Sequence, residues 1–173
     1  MLRKIWGGKE NFPEIDQKNR MMNSRNFSIQ PYQHPFRKQI LTVWEKSVLA
    51  THEFLTEGDF LEIKKMVESI DFNEFEVHCL LDDQKQVLGF LGVLNGKIEM
   101  LFLDPFWIGN GMGKLLLDFA KVKLNCKEVD VNEQNESARK FYEKSGFEVV
   151  GRSEKDGAGM DYPILHMKLK NET

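Results

Sequence analysis

A chain of 173 residues that is 41% hydrophobic is long enough for one sizeable core and too short for two ordinary domains. Its formal charge of −3 at pH 7 excludes a general nucleic-acid or anionic-membrane binder, which carries a basic surplus or stripe. Two cysteines, Cys79 and Cys126, without C-x-x-C or Cys/His spacing exclude a disulfide framework and a zinc site and read as buried small hydrophobes.

Residues 1–25 show neither a helical nor a strand period, and mix Arg3, Lys4, Lys9, Lys18, Arg20 and Arg25 with Glu10, Glu14 and Asp16, whereas a transit peptide is poor in acids. They read as a disordered or upstream extension, with Met21 or Met22 as a candidate start and a partner-binding arm as the alternative. No run has the length of a transmembrane helix or the look of a secretory segment, so the cytoplasm is the default compartment. A single domain is expected over residues 26–171.

Residues 27–32 predict a short strand, and Ile40, Leu41, Val43, Trp44, Val48 and Leu49 then fall at helical spacing. After residues 50–55, where His52 and Glu53 interrupt an apolar run, Asp59 is the expected cap of a second helix carrying Phe60, Leu61, Ile63, Met66, Val67 and Ile70. Residues 75–81 and 86–94 predict strands joined at Asp82, Asp83 and Gln84, and Asn95-Gly96 joins the second to a strand from Lys97; Asn-Gly between apolar runs is the strongest short hairpin signal. A helix over 111–123 presents Met112, Leu115, Leu116, Phe119 and Val122 as its apolar face. A strand at 128–131, a helix at 135–145 closed by Gly146, and strands at 147–151 and 162–169 complete the chain.

The central stretch is residues 98–119, an apolar strand stopped by Asp104-Pro105 and followed by Gly109, Gly111 and Gly113 at the start of the helix. Glycines there allow positive φ and close approach, so successive amides can converge on an anion at a helix N-terminus. A dinucleotide fingerprint fails because Lys114 stands where its third glycine belongs, and a Walker A loop fails at Ile108 and Leu115. From this stretch alone a plain turn and a phosphate cradle both stay open.

A second motif follows at residues 131–147, N-x-x-A-x-x-F-Y-x-K-x-G-F, read from Asn135 through Ala138, Phe141 and Tyr142 to Gly146-Phe147. It resembles the second cofactor motif of the GNAT superfamily of N-acetyltransferases, and Leu103-Asp104-Pro105 with the glycine loop resembles the first. Within that superfamily residues 50–55, 101–102, 131–136 and 151–154 are similar to the small bacterial YjaB-type branch. One departure is Ile108, where the superfamily loop opens with Gln or Arg; the backbone amides at 109–113 are unaffected.

The resemblance implies an α/β GNAT fold, three-layered, with a mixed, mostly antiparallel sheet of six or seven strands splayed between the fourth and fifth. It implies acetyl-CoA as cosubstrate, no metal, and direct attack by a primary amine, either of a small molecule or of a protein lysine. The alternative is a catalytically silent CoA-binding sensor or interaction module. No nucleic-acid or membrane partner is expected, and the assembly is a monomer or homodimer. By the same resemblance the exposed edge of Leu101, Phe102 and Leu103 pairs with pantetheine, with a main-chain N–H near Leu103 as oxyanion donor. Gly109, Asn110, Gly111, Met112, Gly113 and Lys114 hold the pyrophosphate, and Asn135 lies beside the arm while also suiting a helix cap.

Tyr142 is the candidate proton donor to the leaving thiolate, since a phenol of pKa about 10 stays protonated at neutral pH against a thiol of about 8.5. The incoming amine needs the opposite service, for which His52, expected to titrate in the right range, and Glu99, on the central strand, are both candidates. Trp44, Phe54, Phe60 and Phe106 suit either an acceptor pocket or the core, and His34, His78 and His166 show no metal spacing and receive no role. The resemblance also implies an acceptor pocket built from the first helices and the last loop.

Overall fold

The structure, a computed structural model, describes residues 26–170, so the extension expected over residues 1–25 lies outside the described residues. Its strands are β1 (Ser28–Pro31), β2 (Glu76–Leu81), β3 (Val87–Leu94), β4 (Lys97–Leu103), β5 (Glu128–Asn132), β6 (Phe147–Ser153) and β7 (Ile164–Leu169). Its helices are α1 (Arg37–Thr51), α2 (Glu57–Ser69), α3 (Met112–Lys123) and α4 (Glu136–Lys144). No helix among the described residues is long and apolar enough to cross a membrane.

Turn chemistry closes the first half of the sheet. Asn95 and Gly96 take φ of 52° and 77°, both central residues being left-handed as a two-residue β3–β4 hairpin requires. The β2–β3 turn is held by Asp82 Oδ1, which accepts the amides of Gln84 and Gln86 at 2.9 Å each. The seven strands lie in the order β1-β2-β3-β4-β5-β7-β6, antiparallel throughout except β4 with β5.

Helices cover the two faces unequally. On one face Ile40, Val43, Trp44 and Val48 of α1 pack with Phe72, Cys79, Leu81 and Phe90, and α2 lies outside them with no fully buried residue. On the other, α3 and α4 close over Leu91, Ile98, Leu103, Val129, Val131, Leu165 and Met167. Strand β3, buried from Val87 to Val93, is therefore apolar on both sides, whereas β5 and β7 alternate. Their outward residues, Glu128, Asp130, His166 and Lys168, share a face that bears no helix core.

Three sequence expectations need correction. The cap of α2 is Thr56, whose Oγ1 accepts the Asp59 amide at 3.1 Å; Asp59 sits inside the first turn and accepts the Thr56 hydroxyl in return, a reciprocal cap that Asp59 alone did not reveal. Helix α3 buries Met112, Leu116, Leu117 and Ala120, leaving Leu115 42% and Val122 75% exposed. Its inward face is rotated because Gly113 and Ala120, too small to count as apolar periodicity, are what allow it to approach the sheet; a Cβ on Gly113 stands only 3.3 Å from Leu103 Cδ1. Finally, β7 starts at Ile164, and Tyr162 leaves the sheet to cross to α2.

The feature that positions the site is the join of the two halves. β4 pairs with β3 to its end, but with β5 at Lys97–Glu128 and Ile98–Val129 alone. A register shift opposite Gly92 and Val93 makes Glu99 a bulge, and from there the two parallel strands diverge.

Candidate active site

The open edge of β4 carries defined main-chain groups. The Asp104 amide donates to Leu88 O at 2.8 Å, so Asp104 faces β3. In an antiparallel pair this orientation alternates, which turns the backbone groups of Phe102 towards β3 and those of Leu101 and Leu103 into the notch.

At the top of the notch the chain turns through Pro105–Trp107 into the glycine loop. Gly109 and Gly111 both have φ of 80°, and a Cβ built on either meets nothing within 4 Å, so the left-handed backbone, not crowding, requires glycine here. Gly111 caps α3 without any side-chain bond, and the first helical hydrogen bond runs from Leu115 N–H to Gly111 O. The amides of Met112, Gly113 and Lys114 thus lack an i−4 partner within the helix, and no main-chain bond among the described residues engages those of Gly109, Asn110 and Gly111. Of the side chains, Asn110 bends back on Ile108 O at 3.1 Å and Met112 is buried. Lys114, the cation of this loop, pairs with Asp118 one turn on.

These groups enclose a cavity of about 450 Å³. Leu101, Phe102 and Leu103 form one wall, and Ile108, Gly109, Gly111, Gly113 and Lys114 the top. From α4 come Asn135, Ser137, Ala138 and Phe141. Asn135 does both things expected of it: Oδ1 accepts the Ala138 amide at 3.1 Å as N-cap while the residue lines the cavity.

The remaining wall is the end of α1, where the expected His52 stands with Ser47 and Thr51, two residues that the sequence reading missed. The Thr51 hydroxyl donates its one proton to Ser47 O at 2.7 Å, so at 2.8 Å from His52 Nδ1 it accepts. Nδ1 therefore carries the imidazole hydrogen, and Nε2 keeps the free lone pair. Burial lowers the His52 pKa from 6.5 to about 4, against the expectation that it titrates near neutrality, because the cavity and the Phe54 ring desolvate its charged form. Ser47 is 5% exposed, and its hydroxyl has no hydrogen-bond partner among the described residues. The signal that points to it is a polar residue inside the apolar stripe of Ile40, Val43, Trp44 and Val48.

Tyr142 lies behind the α4 wall. Its ring, 6% exposed, packs edge-on against Phe141 and Phe147 at 5.1 and 5.6 Å, and burial raises its pKa, keeping the phenol protonated. The one fully enclosed side-chain nitrogen or oxygen without a partner among the described residues is His78 Nδ1; the Tyr142 hydroxyl, also without a partner, thus retains access to solvent.

Glu99 is not part of the cavity wall. It stands 3.6 Å from Lys97 Nζ, which lies 2.6 Å from Asp130; Asp130 in turn holds His166 Nδ1 at 2.7 Å, and His166 Nε2 meets Ser153 Oγ at 2.7 Å. His166, given no role by its spacing, is thereby tied to Glu99 across the face without helices. The α1–α2 loop and the β6–β7 loop also meet. The Tyr162 hydroxyl donates to Asp59 Oδ2 at 2.5 Å and accepts the Thr56 amide at 3.3 Å, with Phe54 5.9 Å from its ring. Of the other aromatics, Trp44 stacks on Phe60 at 6.0 Å in the core and Phe106 is exposed. No group of three or more His, Cys, Asp or Glu among the described residues could hold a metal ion.

Residues 46–170 match the family model for the acetyltransferase (GNAT) domain. The chain is 34% identical over 140 residues to the peptidyl-lysine N-acetyltransferase YjaB of Salmonella typhimurium, covering 81% of this chain and 96% of that one. It is 35% identical over 140 residues to YjaB of Escherichia coli, covering 81% and 95%. Among solved structures it resembles the apo form of Escherichia coli YjaB, with a TM-score of 0.76 at 34% identity over 83% of this chain and 97% of that one. The fold is shared with the PaiA N-acetyltransferase of Thermoplasma acidophilum in complex with coenzyme A, with a TM-score of 0.63 at 21% identity over 83% and 99% of the two chains.

Proposed function

From the premise that this chain belongs to the GNAT acetyltransferase family and is an acetyl-CoA-dependent N-acetyltransferase, we propose that its acceptor is the ε-amino group of a protein lysine. We further propose that the splayed β4–β5 notch takes the acyl-pantetheine arm. The relatives named as peptidyl-lysine acetyltransferases support the acceptor. The observation that carries the site is the two-rung β4–β5 pairing, which leaves main-chain groups of Leu101 and Leu103 unpaired beside a cavity roofed by free helix-start amides.

Acetyl-CoA, when bound, supplies an acyl thioester whose carbonyl carbon an amine can attack with loss of a thiol. The residues fit it: Leu101 pairs with the arm as one strand pairs with another, and the Leu103 N–H meets the developing oxyanion. The amides of Gly109 to Gly113 hold the pyrophosphate, and Lys114 takes over the donor contact that Gln or Arg at position 108 would supply, exchanging Asp118 for the ligand. Asn135 steadies the arm from α4.

Two protons then move. His52, neutral with Nε2 free, accepts one from the attacking nitrogen, which becomes acidic as its lone pair enters the new bond. Glu99, tied to Lys97, Asp130 and His166, attracts the acceptor ammonium beforehand on the side without helices, and the ammonium gives its first proton to water there, which frees the lone pair that attacks. Tyr142 returns a proton to the leaving sulfur, and its raised pKa keeps that proton available at every working pH.

Acetylation of lysine peptides and polyamines, read by thiol release and mass spectrometry, tests this. Lysine peptides should turn over faster, and Tyr142→Phe should lower kcat by roughly 100-fold or more with CoA affinity unchanged. Preference for a polyamine would overturn the acceptor; full turnover by Tyr142→Phe would remove its role.

A further inference from the structure

We propose that Ser47 is a substrate-contacting residue whose hydroxyl donates a hydrogen bond to a carbonyl oxygen of the acyl-pantetheine arm. This rests on the reading that the notch holds that arm. Helix α1 packs an apolar stripe on the sheet, with Ile40, Val43, Trp44 and Val48 all at most 4% exposed. Ser47 occupies the same inward arc at 5%, a position where the helical period calls for a hydrocarbon.

A hydroxyl withdrawn from water normally finds a partner, and inside a helix the nearest is the carbonyl four residues back. Thr42 and Thr51 of the same helix do bond in this way, to Lys38 O at 3.0 Å and Ser47 O at 2.7 Å. Ser47 does not: its Oγ has no hydrogen bond among the described residues, yet it is not among the fully enclosed orphan atoms, so it opens into the cavity that the residue lines. Of the cavity's other lining, Leu101, Phe102, Leu103, Ala138 and Phe141 are apolar, and none of the polar residues bonds the hydroxyl. Binding pockets of this kind orient their ligand with few, well-placed polar groups.

The chemistry of the occupant selects the donor role. An extended arm that pairs along one edge with β4 satisfies the amide groups on that edge and turns its remaining carbonyls away from the strand. The end of α1 lines the same cavity, and the Ser47 hydroxyl is the unengaged donor it offers to them. The structure therefore assigns to Ser47 either an amide carbonyl of pantetheine or the thioester carbonyl itself. No proton is transferred in either case.

The test compares wild type with Ser47→Ala in three measurements: melting temperature without ligand, CoA affinity by calorimetry, and kcat and KM for acetyl-CoA. A hydroxyl held for the substrate predicts a melting temperature equal to or above wild type, because a lone buried donor is removed, together with at least a tenfold loss of kcat/KM. CoA lacks the thioester carbonyl. Weakened CoA binding would thus identify an amide carbonyl, and intact CoA binding with reduced kcat the thioester. Activity and CoA affinity within twofold of wild type would overturn the proposal, as would a lowered melting temperature with activity falling only in step with the folded fraction. Absence of CoA binding by wild type would instead refute the premise about the notch.

Discussion

At His52 a single cause, burial beside the cavity, sets both reactivity and acid sensitivity. The folded pKa of about 4 lies below the unfolded value of 6.5, so between these two pH values the unfolded chain binds the proton and the folded chain does not. Stability present above pH 6.5 is accordingly lost as the pH falls towards 4. His78, desolvated between Phe119 and its strand, is shifted in the same direction and adds to the effect. His52→Gln should lose less stability than wild type when denaturation at pH 7 is compared with pH 5; an equal loss would place the proton elsewhere. The phenol of Tyr142 is the complementary case, since burial there favours the neutral form that a proton donor needs.

At the level of the element, the glycine loop and α3 separate two uses of one residue type. Gly111 meets no neighbour but holds a φ of 80°, so Gly111→Ala should cost about 1–2 kcal/mol for the left-handed backbone, and weaken CoA binding as the cap geometry shifts. Gly113 has helical backbone and a neighbour at 3.3 Å, so Gly113→Ala gains about 1 kcal/mol in helix propensity against the crowding of Leu103. Its stability should stay near that of wild type. Urea denaturation of the two variants would reverse this assignment if Gly113→Ala were the less stable one. The same helix explains why its face differs from the expected one: three leucines in succession, Leu115, Leu116 and Leu117, offer several apolar stripes, and what chose among them was the fit of Gly113 against Leu103 of β4 with Ala120 buried on the same side.

Across the whole molecule, the two halves of the sheet are joined by two β4–β5 rungs, a shared core under α3 and α4, and the Tyr162 bridge to Asp59 and Thr56. The bridge joins the α1–α2 loop to the β6–β7 loop, the two elements expected to shape the acceptor pocket. Tyr162→Phe removes its hydrogen bonds and leaves the Thr56–Asp59 cap in place. The expected result is a several-fold rise in KM for the lysine acceptor with KM for acetyl-CoA unchanged. A change confined to acetyl-CoA would show that the bridge shapes the cofactor side instead.

Sequence alone determined the parts that depend on neighbours a few residues away. The Asn95-Gly96 hairpin, the N-cap of Asn135, the alternation along β5 and β7 and the spacing of Gly109 and Gly111 are short-range consequences of turn chemistry and side-chain period, and the paired motifs named the family. Tertiary structure alone decided what stands opposite what. It packed the Tyr142 ring behind Phe141, set Ser47 in the cavity wall, lowered the pKa of His52, set Glu99 apart from the cavity and sent Tyr162 across to Asp59, 103 residues away. Burial, pKa and hydrogen-bond partners are properties of surfaces brought together by packing, and a linear pattern shows which side of an element is apolar without showing what will cover it.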